Sequence, residues 1–179
     1  MINILNFVNL YNNSNFKFNK MKTNILGLPS KDAENIAKDL NGLLSSFQVY
    51  YQNLRGIHWN IRGKRFFELH VKFEELYNDA QLKIDEIAER ILTVGGKPLH
   101  TFEDYLKHNS LKIGKDISKD EEAVHLVVNS LSDLLKMERE ILNKSDEISD
   151  EGTNSMMSDF IKEQEKTIWM MKAWLEEKI

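Results

Sequence analysis

Five side chains able to bind a metal ion fall at fixed intervals in one stretch of the chain: His58, His70, Glu74, Asp85 and Glu89. Neutral imidazoles combined with carboxylates suit iron, with zinc or manganese as competitors. Four of the five share one predicted helix, because Leu69, Phe73, Leu76, Ala80, Ile84, Ile87 and Ile91 recur at the three-to-four spacing of a buried stripe. His70 and Glu74 are four apart, as are Asp85 and Glu89, so each pair lies on one face. From Glu74 to Asp85 the net rotation is only about 20° at about 100° per residue, and the two pairs therefore face the same way. Along the axis, however, His70 and Asp85 are about 22 Å apart at a rise of about 1.5 Å per residue. Ligand bonds to such metals are roughly 2 Å long. No single ion can be held by both pairs of one helix, so the spacing encodes two half-sites or none.

A second copy of the helix could complete them. Packed antiparallel about a two-fold axis near residues 79 and 80, it would bring His70 level with Glu89 of the partner subunit and Glu74 level with Asp85 of the partner subunit. A two-fold interface is self-complementary, so each composite site would occur twice. His58 fits the same scheme. Arg62-Gly63-Lys64 reads as a helix-stopping turn, with Gly63 as a left-handed C′ residue, and His58 and His70 lie on either side of it. A helical hairpin then sets both imidazoles at one height. The competing reading is plain: charged helix residues are usually a solvated face, and a histidine beside Trp59 is usually a structural one. Spacing alone leaves that choice open.

The runs HWN, FFELH, FEELYND and IDEIAERI, all within this block, resemble the signature of the Dps family, the DNA-binding proteins from starved cells, also called mini-ferritins. The resemblance extends over roughly residues 22–179. It implies that His58, His70, Glu74, Asp85 and Glu89 form a ferroxidase site between two-fold-related subunits, with His58, His70, Asp85 and Glu89 on a first iron and Glu74 better placed for a second. The family often has Asp where this chain has Glu74. Also implied are a hollow dodecamer, oxidation of Fe(II) with hydrogen peroxide, ferric mineral stored inside, and for Trp59 an electron-donor role beside the site. Ordinary packing against the neighbouring subunit would explain Trp59 equally well.

The elements that must position these residues are helices. The 179 residues are enough for one domain with a sizeable core, and the absence of cysteine removes disulfides and thiolate sites and agrees with a cytoplasmic location. Two prolines and 29% charged residues suit an all-α chain. A net charge of −4 argues against a strongly basic, nucleic-acid-coating surface. No apolar run approaches the roughly 20 residues of a membrane span.

Residues 1–21 are expected to be a disordered tail or an extension upstream of the start at Met21, with one ferritin-like domain over 22–179. The first twenty are rich in Asn and Phe, and the lysines that come latest in them leave no charged signal-peptide start. The alternative for this segment is a DNA-gripping arm, although Lys17, Lys20, Lys22 and Lys31 supply few charges.

A first helix is predicted from Pro29-Ser30 with Ser30 as N-cap, burying Ile36, Leu40, Leu43, Phe47, Tyr50, Leu54 and Ile57. The second is predicted from about Lys64 to Thr93, ended by Gly95-Gly96. A long crossover follows, in which Phe102–Leu106 can form a short helix. Ser118-Lys119-Asp120-Glu121 has the pattern of a capping box opening a third helix that runs to about Lys144. The acidic turn Ser145–Thr153 leads into a last helix from about Asn154, with Trp169 and Trp174 as packing residues. The fold expected is a ferritin-like four-helix bundle with a short helix in the crossover between helices two and three. The lone Glu122-x-x-His125 motif has no second copy, so a di-iron centre inside the bundle is not encoded, and that pair is expected at the surface.

The function expected is iron storage and detoxification by a ferroxidase. The alternatives are a DNA-compacting protein and a helical interaction module whose ligand pattern is accidental.

Overall fold

The computed structural model describes residues 22–179, and the expectation for residues 1–21 falls outside them. Five helices follow one another: α1 (Ser30–Asn60), α2 (Phe66–Thr93), α3 (Phe102–His108), α4 (Asp120–Glu147) and α5 (Glu151–Trp174). The four long ones pack α1 on α2, α4 on α5 and α1 on α4, while short α3 lies in the crossover against α1. No strand occurs among the described residues, and no helix is long and apolar enough to cross a membrane.

The predicted stripes are the ones buried, except that Ile84 of α2 is only partly buried while Lys83 beside it is buried. Leu40, Leu43, Phe47 and Leu54 of α1 meet Phe73, Ala80, Ile87 and Ile91 of α2, Val124, Leu131, Leu134 and Ile141 of α4, and Met157 and Met171 of α5. Each large side chain so buried contributes about 1.5–3 kcal/mol.

Helix ends depart from expectation in specific ways. Ser30 is the first helical residue rather than the cap; Pro29 precedes it, and its missing N–H is one that the first turn leaves unpaired anyway. The capping box does not form. Lys119 occupies the N-cap of α4 without a side-chain bond, and Asp120 instead accepts the Glu121 N–H at 2.9 Å. The Ser118 carbonyl accepts the Arg62 N–H at 3.0 Å, which ties the α1–α2 turn to the start of α4. Gly63 has the positive φ foreseen for it, 126°, but stands three residues beyond the end of α1, inside the turn that starts α2. At the far end of α2, Gly96 N–H bonds to Ile91 C=O and Gly95 N–H to Leu92 C=O, with Gly95 at φ 93°; this is a Schellman stop.

In the acidic turn before α5, Asp150 is not a hydrated surface group. At 3% exposure it caps α5 through the Thr153 N–H and hydroxyl and forms an ion pair with Arg90 of α2. Gly152 lies against that guanidinium, where a Cβ would come within 2.8 Å of it. Trp174 packs as expected, stacked by Arg65 and bonded to Glu68, whereas Trp169 is exposed.

Candidate metal centre

The α1–α2 hairpin brings two histidines, twelve residues apart in sequence, face to face. Their rings stack with centroids 3.8 Å apart and planes at 19°. Each ring is pinned by the backbone of the other residue: His58 Nδ1 lies 2.8 Å from the His70 carbonyl, and His70 Nδ1 lies 2.9 Å from the His58 carbonyl. A carbonyl can only accept, so both Nδ1 atoms carry the hydrogen, and both Nε2 atoms keep a lone pair for a metal. The arrangement is also economical for the backbone. His58 lies in the last turn of α1, where carbonyls lack helical partners, and the His70 ring satisfies one of them.

Glu74, one turn beyond His70, completes a cluster in which one ligand atom from each of His58, His70 and Glu74 lies within 4.8 Å of the others. It is the only such group among the described residues. Around it, Phe66 stacks on His70 at 4.9 Å and Tyr77 meets His58 edge-on at 5.3 Å. The Tyr77 hydroxyl donates to Glu74 Oε1 at 3.2 Å, and its ring packs edge-on against Tyr51. Partial desolvation, followed by the Glu74 carboxylate itself, holds the Tyr77 phenol above its usual value and keeps it a donor. Nothing in the sequence reading gave Tyr77 a role. Its position three residues after Glu74 and seven after His70, on the same face, was the available signal. Trp59, 58% exposed, is stacked by Arg55 at 4.6 Å and stands at the rim of the cluster.

Asp85 and Glu89 are not part of this group. Both are exposed, further along α2, and their side chains have no hydrogen bond or ion pair among the described residues. The hairpin thus brings three of the five predicted ligands together and leaves the acidic pair apart, in keeping with the axial separation that the sequence implied. Phe67, Val71, Leu82 and Leu92 are exposed too, Phe67 by 82%. At about 100° per residue these four and all the α2 ligands fall within one arc of about 120°. The outward face of α2 therefore carries an apolar strip interleaved with ligands. The Glu122–His125 pair, as expected, is at the surface, with His125 Nε2 3.8 Å from Glu177.

Comparison with known proteins gives a consistent picture. A ferritin-like domain model matches residues 37–178. The chain is 42% identical to the DNA protection during starvation protein of Porphyromonas gingivalis, covering 84% of this chain and 94% of that one. It is 39% identical to the protein of the same name from Brevibacillus brevis, covering 87% and 100%. Among solved structures it resembles the Dps protein of Vibrio cholerae, described as a member of a broad superfamily of ferritin-like diiron-carboxylate proteins, with a TM-score of 0.85, 50% identity, and coverage of 87% and 98%.

Proposed function

Because this chain belongs to the Dps family of ferritin-like proteins, we propose that it is a ferroxidase whose sites are shared between two-fold-related subunits, each built from His58, His70 and Glu74 of one chain and Asp85 and Glu89 of its partner. Fe(II) is the substrate. The observation that carries this reading is the reciprocal pinning of the two imidazoles, which fixes both tautomers and leaves two Nε2 lone pairs beside one carboxylate.

Support for a second subunit comes from the outward face of α2. Two imidazoles and one carboxylate do not neutralise an iron ion as it goes from ferrous to ferric, whereas two further carboxylates would. Among the described residues Asp85 and Glu89 are carboxylates without a partner, on the arc that also bears exposed Phe67, Val71, Leu82 and Leu92. Exposed apolar area of that kind marks an interaction surface. The antiparallel register that sets His70 level with Glu89 of the partner subunit also sets Phe67 level with Leu92 of the partner subunit. Ligand pairing and apolar contact thus ask for one and the same docking.

In the reaction, the imidazoles supply neutral ligands, and the carboxylates stabilise the higher charge that develops on oxidation. Each hydrogen peroxide takes up two electrons, one from each of two ferrous ions, and hydrolysis of the ferric products releases protons. Peroxide consumed this way does not generate hydroxyl radical. The relatives' name, DNA protection, is met by that chemistry without DNA contact, and the net charge of −4 does not favour such contact. Storage of the ferric mineral in a hollow dodecamer in the cytoplasm completes the reading.

The test is Fe(II) titration with peroxide, followed by ferric absorbance, on wild type and His70→Ala. The fast phase is expected to disappear in the variant. Equal rates in the two proteins would remove the proposal.

A further inference from the structure

Away from the α1–α2 surface, the four long helices point polar side chains at one layer in the middle of the bundle. Lys83 of α2 is 5% exposed, and its ammonium donates to Asp79 Oδ1 at 2.5 Å and to Glu163 Oε2 of α5 at 2.7 Å, while lying 5.2 Å above the ring of Phe160. Beside it are Tyr50 of α1, Glu138 of α4 and Gln164 of α5, all less than 6% exposed. The Gln164 amide donates to Glu138, yet Glu138 Oε2, Gln164 Oε1 and Tyr50 Oη have no partner among the described residues. Tyr50, Asp79, Lys83, Glu163 and Gln164 line a void of about 20 Å³. Three buried, unpartnered oxygens in one layer are costly unless something binds there.

A ferritin-like di-iron bundle places its metals in such a layer, using a Glu from each of two helices and a Glu-x-x-His from each of the other two. The residues here do not fit that pair of metals. The layer has no histidine, and a lysine sits among its carboxylates. We propose that it is a cation site held closed by the chain itself: the Lys83 ammonium is the resident cation, and trimming that side chain hands Asp79, Glu163 and the buried oxygens of Gln164 and Tyr50 that line the same void to a divalent metal.

Geometry and charge both support this. A carboxylate oxygen binds a metal of this class at about 2.0–2.2 Å. The Asp79 and Glu163 oxygens already stand 2.5 and 2.7 Å from the lysine nitrogen, so an ion in its place asks for an inward movement of each by about half an ångström. One positive charge now faces two carboxylates; a divalent ion would balance both. Asp79 and Glu163 are half exposed, which leaves an approach from solvent. Lys83 therefore occupies the position that a metal in this layer would take. The inference is independent of the ferroxidase reading.

The experiment uses Co(II) as probe, in the full chain with His58 and His70 both replaced by Ala to silence the surface cluster. Bound Co(II) per subunit is measured by equilibrium dialysis, and its coordination by visible absorption, for Lys83, Lys83→Ala and Lys83→Met. The Ala variant is expected to gain one Co(II) per subunit, at least tenfold tighter than the Met variant, whose apolar stem still fills the space. Equal uptake by the Ala variant and its Lys83 parent, or by the Ala and Met variants, overturns the proposal. Should the Ala variant be unfolded without metal, refolding on addition of Co(II) supports the proposal. Failure to fold at any Co(II) concentration counts against it.

Discussion

Two clusters of charged and ligand-type side chains lie on the same helix, and they are finished in opposite ways. On the outer face of α2, His70 and Glu74 meet His58, and the acidic pair Asp85 and Glu89 stands without partners among the described residues. On the inner face, Lys83 is enclosed by Asp79 and Glu163, with Glu138 and Gln164 close by. An uncompensated buried charge costs several kcal/mol, so interior groups must be neutralised within the chain. Exposed carboxylates are solvated at little cost and can wait for a second subunit or an ion. A helix can thus carry a reactive half-site outside only because its inside is already balanced.

The sharpest way to break this contrast is to exchange consequences between the two places. His70→Ala is expected to slow peroxide-driven Fe(II) oxidation on the order of 100-fold, while changing unfolding free energy by less than about 1 kcal/mol, since the ring is only half-buried. Stopped-flow absorbance and urea unfolding read the two effects. Next in size, Glu138→Ala is expected to cost about 2–4 kcal/mol in stability, from the cavity and the stranded Gln164 amide, with the oxidation rate of the folded protein within a factor of about two. A variant that reversed either pattern would merge the two regions.

A pH series sharpens the inner half. Burial pushes the Glu138 carboxyl up from 4.5 to about 7, partly offset by the Gln164 bond and by the Lys83 and Arg139 charges. The folded chain therefore keeps a proton that the unfolded chain releases above its ordinary value. Stability from this group is complete below that value and is lost as pH rises through about 7. The loss should be on the order of 3 kcal/mol between about pH 5 and pH 8. Urea midpoints of Glu138→Gln should lack this decline; parallel slopes for the two proteins would rule out Glu138 as its source. The smallest effect belongs to the rim of the outer cluster. Tyr77→Phe removes the hydroxyl that holds Glu74, and oxidation should slow only a few-fold with about 1 kcal/mol or less lost in stability.

Much of the fold was legible in the residues because burial and helical period report on each other: Leu69, Phe73, Leu76, Ala80, Ile87 and Ile91 are buried as their spacing required. The caps were less legible. Ser118 and Glu121 have the pattern of a capping box, but the Ser118 carbonyl is engaged by Arg62 and the helix starts one residue later than that box requires. Asp150 looked like one acid among several in a polar turn, and only the approach of Arg90 from α2 makes it a buried cap. Of the candidate site, the spacing foretold the two histidines astride a turn with Glu74 beside them, and it set the acidic pair Asp85 and Glu89 on the same face too far along the helix to join them on a single ion. Tyr77 could have been found by the same periodicity.

The sequence by itself determined the periods, and with them which side chains share a face and how far apart they stand along an axis, because a helix has a fixed rise and turn. Tertiary structure alone decided which faces meet across helices. It set His58 and His70 in reciprocal bonds that fix their tautomers, and it drew Tyr50, Lys83, Glu138 and Gln164 from four helices into one layer. Those contacts join residues far apart in the chain, and no local period encodes a partner that another helix supplies.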